Sequence, residues 1–398
     1  MSRLILNANV ADKIQAQAQQ LIDDRQFRSI EWHVAQHDQV LSCGATDVDP
    51  NALDSSVPIY RIYSMTKPIV SFVAMQLIDE GKLKLNDLVS HYIPAMANVQ
   101  VLGEHGTVEA MSNPITIEHL LTHTAGFSYD FLPDCPVAER YREVQLSGQA
   151  TRSLTEVIGM LTTLPLAGQP GEQWRYSVAT DVLAHVLENV SGQNLPELLR
   201  ARVFEPLHMQ DTAFYVPNDK YYRLLPMFGS RELGQVMVET NEPNKLNKID
   251  VQLSYPSDEP EVFYRGGHGL FSTRSDYVKF MQVLQTGASL DGQQLLSNRV
   301  FKLMWSNKIG SALQPLVLGF NVLGGYGWNL IGRTMLDPGQ CEFHTAVGEG
   351  GWAGAASTYF WIDRHNAISG IVMAQYIGST SRLGELMQHA AYEMFSAG

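Results

Sequence analysis

Residues Ile59 to Gly81 read IYRIYSMTKPIVSFVAMQLIDEG, and the fold turns on how they are read. The stretch opens as a strand-like alternation, Ile59, Tyr60, Arg61, Ile62. It then changes to apolar residues at helical period, Ile69, Phe72, Val73 and Leu77. The change falls at Tyr63–Ser64. Pro68 narrows it further, since proline is tolerated only in the first turn of a helix. The helix therefore begins near Ser64, where free backbone N–H groups and the helix dipole favour negative charge. Lys67 shares that helical face, so its amine can reach the Ser64 hydroxyl. A nucleophile, a nitrogen base and anion-stabilising donors within one turn is the layout of a Ser–Lys acyl enzyme. The plain alternative is a serine N-cap followed by an exposed lysine. Composition alone yields about one Ser-x-x-Lys in a chain of this size. This one occurs once, and at a strand-to-helix switch.

Composition bounds the rest. The 398 residues suggest two domains, or one domain carrying a large insertion. A hydrophobic share of 45% and a charged share of 17% describe a folded chain with a sizeable core. The net charge of −13, with no Lys/Arg cluster to offset it, argues against a nucleic-acid partner. Cys43, Cys135 and Cys341 lie far apart, which fits reduced thiols better than a disulfide framework or a zinc site. The N-terminal apolar run is too short for a signal peptide, and none reaches the ~18 residues that span a bilayer. The expectation is a soluble cytoplasmic protein with no membrane partner. No His-Glu-x-x-His or similar ligand spacing occurs, so neither a metal nor another cofactor is expected. The absence of Gly-x-Ser-x-Gly disfavours an α/β-hydrolase.

Along the chain, Val10 to Asp24 reads as an amphipathic helix. Two strands follow, Ser29–Ala35 and Val40–Ala45, joined at His37-Asp38. From Lys82 to about Tyr264 helical patches alternate with Gly, Pro and Asn. Ile117–Thr122, Ser153–Leu164, Ala179–Val190 and Leu195–Phe204 are the helix candidates, and Asn218–Glu261 reads as a long surface excursion. Strand character returns at Gly266–Thr273, then a helix over Ser275–Thr286. Two period-two runs follow, Ser357–Ile362 and Ile368–Gln375, and a last helix spans Ser381–Phe395. This order predicts an α+β molecule. Residues 1–82 and 265–398 form a discontinuous α/β domain, and 83–264 a mainly helical insertion. Ser64 lies where the two meet, a usual place for a pocket.

With Ser64-Met65-Thr66-Lys67 placed, the chain resembles the serine β-lactamase and penicillin-binding-protein superfamily. The branch it is most similar to holds class C β-lactamases and family VIII carboxylesterases. Further blocks carry the resemblance: LLTHTAGF (Leu120–Phe127), PGEQWRYSVATDVLAHVLENVSG (Pro170–Gly192), GGHGLFSTRSDY (Gly266–Tyr277) and GEGGWAGAASTYFWID (Gly348–Asp363). It implies a β-lactamase/transpeptidase-like fold, an antiparallel sheet flanked by N- and C-terminal helices. The family's Tyr-x-Asn is matched by Tyr176-Ser177-Val178, with Val178 in place of the asparagine that helps lactam-cleaving relatives bind the substrate amide. Its Lys-Thr-Gly should fall near Gly348-Glu349-Gly350, where neither Lys nor Thr is present. The Trp-Gly-Gly of the esterase branch is replaced there by Glu349-Gly350-Gly351. Lys308-Ile309-Gly310 is a poor substitute in a polar turn.

The resemblance implies roles. Lys67 must lose its proton to serve as base, so its pKa has to fall from ~10.4 to near neutral, about three units or ~4 kcal/mol. Tyr176 is the second proton-transfer group; its bland reading is a core tyrosine. The Ser64 N–H and the Gly351 N–H are the expected oxyanion donors. Tyr129, Glu349, Gly350 and Trp352 are expected to touch substrate. His123, Trp174 and Asp130 either border the pocket or simply pack. The expected function is cleavage of small carboxylic esters, short-chain and neutral, through an acyl-Ser64 intermediate. Glu349 is expected to repel a substrate carboxylate. The alternatives are a β-lactamase or D-amino-acid peptidase, an acyltransferase, or a catalytically silent binding or assembly module. Oligomeric state is not legible.

Overall fold

The computed structural model of the chain describes residues 4–6, 13–47, 57–103, 106–133, 135–147, 150–229, 244–258, 262–393 and 395–397. Seven strands form its antiparallel sheet: β1 (Ser29–Gln36), β2 (Gln39–Asp47), β3 (Tyr326–Trp328), β4 (Arg333–Met335), β5 (Gly350–Gly354), β6 (Thr358–Asp363) and β7 (Ile368–Met373). Their order is β3-β4-β5-β6-β7-β1-β2, so the early hairpin β1–β2 adds to the late strands through β7. The β6 and β7 runs alternate as read, yet every residue in both is buried, because helices cover both faces.

One face carries α1 (Lys13–Asp23) and a C-terminal helix. The α1 residues Ile14, Ala18, Leu21 and Ile22 fall on one side at helical spacing and pack with Trp32, Tyr359 and Trp361. The opposite face meets the segment from the opening stretch. A 3₁₀ turn, Tyr63–Met65, leads into α2 (Thr66–Asp79), in which every residue from Thr66 to Leu77 is buried. A helix apolar all round belongs at the centre of a protein, so its few polar side chains, Lys67 among them, carry information. Beyond α2 lies α3 (Ala179–Ser191), ended by Gly192 in the left-handed region at φ +70°. The sheet's inner face is completed by α4 (Arg274–Thr286), capped by Thr273, whose Tyr277 ring meets Phe360. The C-terminal helix, α5 (Leu383–Tyr392), lies beside α1.

Several expectations change. Leu195–Leu199 is α-helical, but the run continues as a π-helical turn, Arg200–Phe204. Of Gly266–Thr273 only Phe271–Ser272 is a strand, paired with Tyr60–Arg61. The stretch Asn218–Glu261 is no simple surface excursion where it is described. Met227, Phe228 and Tyr255 are buried, and Phe228–Gly229 runs parallel to Tyr376–Ile377. A polar majority in the sequence masked these few anchors. Residues 230–243 and 259–261 of that stretch lie outside the described residues, as does Val10 of the expected first helix. Strands β3 and β4 were not legible, being three residues each. Among the described residues no helix is long and apolar enough to cross a membrane.

Candidate active site

Tyr63 adopts φ +44°, a left-handed backbone costing a bulky residue roughly 1–3 kcal/mol. Its ring is buried and packs on Tyr255 at 4.5 Å, which holds the turn in place. Ser64 therefore sits on a bent 3₁₀ turn just ahead of α2, and not in the helix itself. Its side chain is half-buried.

Lys67 projects from the first turn of α2. Its Nζ lies 3.2 Å from Ser64 Oγ and donates to the Gly267 carbonyl at 2.7 Å. The amine also lies over the rings of Tyr176 (4.7 Å) and Tyr129 (5.0 Å). Only 3% of the residue is exposed. Burial pulls the pKa of Lys67 down to about 7, with the Asp181 carboxylate opposing. The shift that the chemistry demands is thus supplied by desolvation.

Tyr176 precedes α3. Its hydroxyl hydrogen-bonds Ser64 and accepts from Trp352 Nε1 at 3.0 Å. Burial raises its pKa above the ordinary phenol value, against the bonds from Ser64 and Trp352. The phenol is neutral beside a lysine poised to lose its proton. Around Tyr176 stand His123 (4.8 Å between ring centres), Trp352 (5.1 Å), Tyr129 (5.4 Å) and Trp174 (6.5 Å). His123 is buried, which holds its pKa well below the usual histidine value. Trp328, unrecognised in the sequence, closes this wall. It packs edge-on to Trp352 at 4.6 Å and donates to the Leu121 carbonyl. Asp130 instead bonds Ser147.

The structure thus brings together Ser64, Lys67, Tyr176, Tyr129 and Trp352. Among the described residues, no side-chain hydrogen bond or ring contact joins Glu349, Gly350 or Gly351 to Ser64, Lys67 or Tyr176. The Glu349 side chain is fully buried. It accepts from Tyr326 Oη (2.8 Å) and Thr345 Oγ1 (3.0 Å) and lies 3.8 Å from the Arg333 guanidinium. Its carboxylate has no exposed surface, so it does not stand at a pocket rim as the sequence suggested. At Gly350 the space is filled by the Trp305 ring, which a Cβ would approach to 2.6 Å. Gly351 is interior to the sheet, facing Arg333 on one side and Trp361 on the other, so its N–H belongs to the ladder. The part of β5 that reaches the nucleophile turn is its end. A Cβ on Gly354 would lie 2.3 Å from the Ile62 carbonyl, and Ala355 follows the last ladder pair. The legible signal was Trp352-Ala353-Gly354, three places beyond where the Trp-Gly-Gly was sought. Lys308 pairs with Glu118 at 3.5 Å.

Sequence reading also missed Asp181, in the first turn of α3. It is 2% exposed and accepts the Gly267 N–H at 3.0 Å. An acid inside the buried run Ala179–Leu183 was the available signal. Among the described residues no group of three or more His, Cys, Asp or Glu could hold a metal ion.

An antiparallel sheet backed by helices on both faces, with Ser-x-x-Lys on a strained turn at the head of a central helix, is a serine-hydrolase fold. The chain belongs to the Beta-lactamase family, whose sequence model matches residues 14–391. Among proteins it is similar to, Protein Rv1367c of Mycobacterium tuberculosis (strain ATCC 25618 / H37Rv) is 32% identical over 337 residues. That match covers 82% of this chain and 79% of the relative. Esterase EstB of Burkholderia gladioli is 24% identical over 396 residues, covering 97% and 96%. Among solved structures, EstCE1, a hydrolase with promiscuous acyltransferase activity, superposes with a TM-score of 0.77 at 24% identity. It covers 96% of this chain and 98% of its own.

Proposed function

We propose that the protein is a serine carboxylesterase working through an acyl-Ser64 intermediate. The observation that carries this is the contact of Lys67 Nζ and Tyr176 Oη with one serine hydroxyl, at a site where burial brings the lysine to about 7. Ser64 Oγ attacks the ester carbonyl and passes its proton to the neutral Lys67 amine. The oxyanion is held by the N–H groups of Ser64 and Ala355, which replace the pairing expected with Gly351. As the carbon–oxygen bond breaks, the leaving alkoxide takes the Tyr176 proton, and Lys67 returns one to Tyr176 through the shared hydrogen-bond network. Water then attacks the acyl-enzyme, surrendering its proton to the same pair. As the bond from the acyl carbon to Ser64 Oγ breaks, that proton passes to Oγ and the acid is freed. The opposite shifts set the resting protonation states: near neutral pH Lys67 is available as a free amine that can accept the serine proton, and Tyr176 is held as a phenol that has a proton to pass on.

Neutral short-chain esters are the preferred substrates in this reading. With Glu349 buried, the support is Val178: it is apolar and buried where lactam-cleaving relatives place an amide-binding asparagine. A fluorophosphonate should label Ser64 by mass spectrometry. A p-nitrophenyl short-chain ester should be cleaved with kcat/KM at least about a hundredfold above that of a chromogenic cephalosporin. Efficient cephalosporin turnover would overturn the ester assignment. A second reading, acyl transfer to an alcohol, is favoured by the similarity to EstCE1, a hydrolase with promiscuous acyltransferase activity. It predicts ester products when an alcohol is added to the assay.

A further inference from the structure

Asp181 touches no position where substrate would sit, yet it is a carboxylate placed among apolar neighbours beside Lys67. Gly267 connects the two. Its N–H donates to Asp181 Oδ1 at 3.0 Å, and its carbonyl accepts Lys67 Nζ at 2.7 Å. The Gly266 amide also bonds Asp181. The approach is possible only for glycine, since a Cβ at 267 would lie 2.7 Å from both Asp181 Oδ2 and Tyr129 Oη.

The direction of the Lys67 contacts decides the chemistry. A neutral amine has N–H bonds to give and one lone pair to receive. Lys67 Nζ donates to the Gly267 carbonyl at 2.7 Å and to Ser64 Oγ at 3.2 Å. When the proton on the Ser64 side is lost, the lone pair left behind faces Oγ while the N–H to Gly267 anchors the amine. If that carbonyl moved aside, the neutral amine would lose its anchor and could turn its lone pair away from Ser64, and an N–H directed at Oγ cannot take the serine proton. The groups around Lys67 are Asp181 from α3, Tyr176 just before it, Tyr129 and His123, and Arg265 and His268 from the segment that carries Gly267. Asp181 is the carboxylate in this set. It also lies one helical turn beyond Val178, so α3 carries a polar anchor after the position that lost one.

We propose that Asp181 is the positioning residue of the Lys67 base: by fixing Gly266 and Gly267 it keeps the lysine lone pair aimed at Ser64. The proposal rests on the acyl-Ser64 reading.

The test compares Asp181→Asn and Asp181→Ala with the wild type. Readouts are kcat and KM for p-nitrophenyl butyrate from pH 5 to 9, and the rate of fluorophosphonate labelling at Ser64. Asparagine keeps an oxygen for the Gly267 N–H but removes the charge that favours protonated Lys67. Its plateau kcat should stay within about threefold, while the acid limb moves to lower pH by roughly half a unit or more. Alanine removes the acceptor, so kcat should fall about tenfold to a hundredfold with KM within about twofold. Wild-type limbs and kcat in both variants would sink the proposal, as would a raised KM at unchanged kcat. If the alanine variant does not fold, Asp181→Leu, of similar size and also without an acceptor, is measured in its place with the same expected fall in kcat. Failure of the wild type to label at Ser64 is a separate result and removes the acyl-enzyme reading itself.

Discussion

In the proposed mechanism Lys67 has to be buried deeply enough to shed a proton and still lie within reach of the Ser64 hydroxyl that supplies one. Its pKa near 7 gives a direct expectation for pH. The working form is the neutral amine, populated above that value, so kcat/KM should rise through pH 7 and level off above about 8. Lys67→Arg keeps the charge but cannot deprotonate, and should lose at least about a thousandfold at every pH. A variant that kept most of the rate would make Lys67 an electrostatic post. Ser64→Ala should abolish turnover while leaving the melting temperature within a few degrees, since one oxygen on an otherwise well-packed turn is removed. At this scale the sequence was informative: Ser64, Lys67 and Tyr176 could be named because their spacing and flanking blocks are local. Asp181 could not, because its meaning depends on Gly267, which only the tertiary fold brings to it.

At the scale of elements, β5 shows where local reading fails. Glu349 between glycines looks like an exposed turn at a pocket rim. Its burial depends on Tyr326 and Arg333, on strands too short to announce themselves. Arg333 is itself held by Tyr359 and Gln388 from β6 and α5. Glu349→Ala should therefore cost about 3–5 kcal/mol in a urea titration by stranding a buried guanidinium, and leave selectivity between charged and neutral substrates unchanged. Equal stability of the two proteins would contradict the buried pair. Gly354→Ala acts the other way. Its new Cβ would press on the Ile62 carbonyl, shifting the turn that aims Ser64. We expect kcat to fall by about a hundredfold with only a modest change in melting temperature. Helices such as α3 and α4 were read to within a few residues, because a long apolar period survives any context.

For the molecule as a whole, the sequence conveyed the class of fold but not its closure. Two clusters of apolar residues lie on opposite faces of one sheet, α2 in one and α1 with α5 in the other. That both faces of β6 and β7 are covered follows from how distant helices pack, which no window of sequence contains.

The pairing of β1 with β7 joins a strand near the start of the chain to one near its end. During synthesis the nucleophile and its lysine leave the ribosome early, Tyr176 and Gly267 later, and the β5 end that abuts the Ile62 carbonyl later still. Until β7 has emerged, β1 and β2 have no neighbour on that side, and β5, which abuts the turn carrying Ser64, is not yet joined to them in one sheet. A nascent chain therefore lacks an assembled form of the proposed site for most of its making. Ribosome-stalled chains ending before residue 350 should leave a fluorophosphonate untouched, whereas chains with β7 exposed beyond the exit tunnel should react.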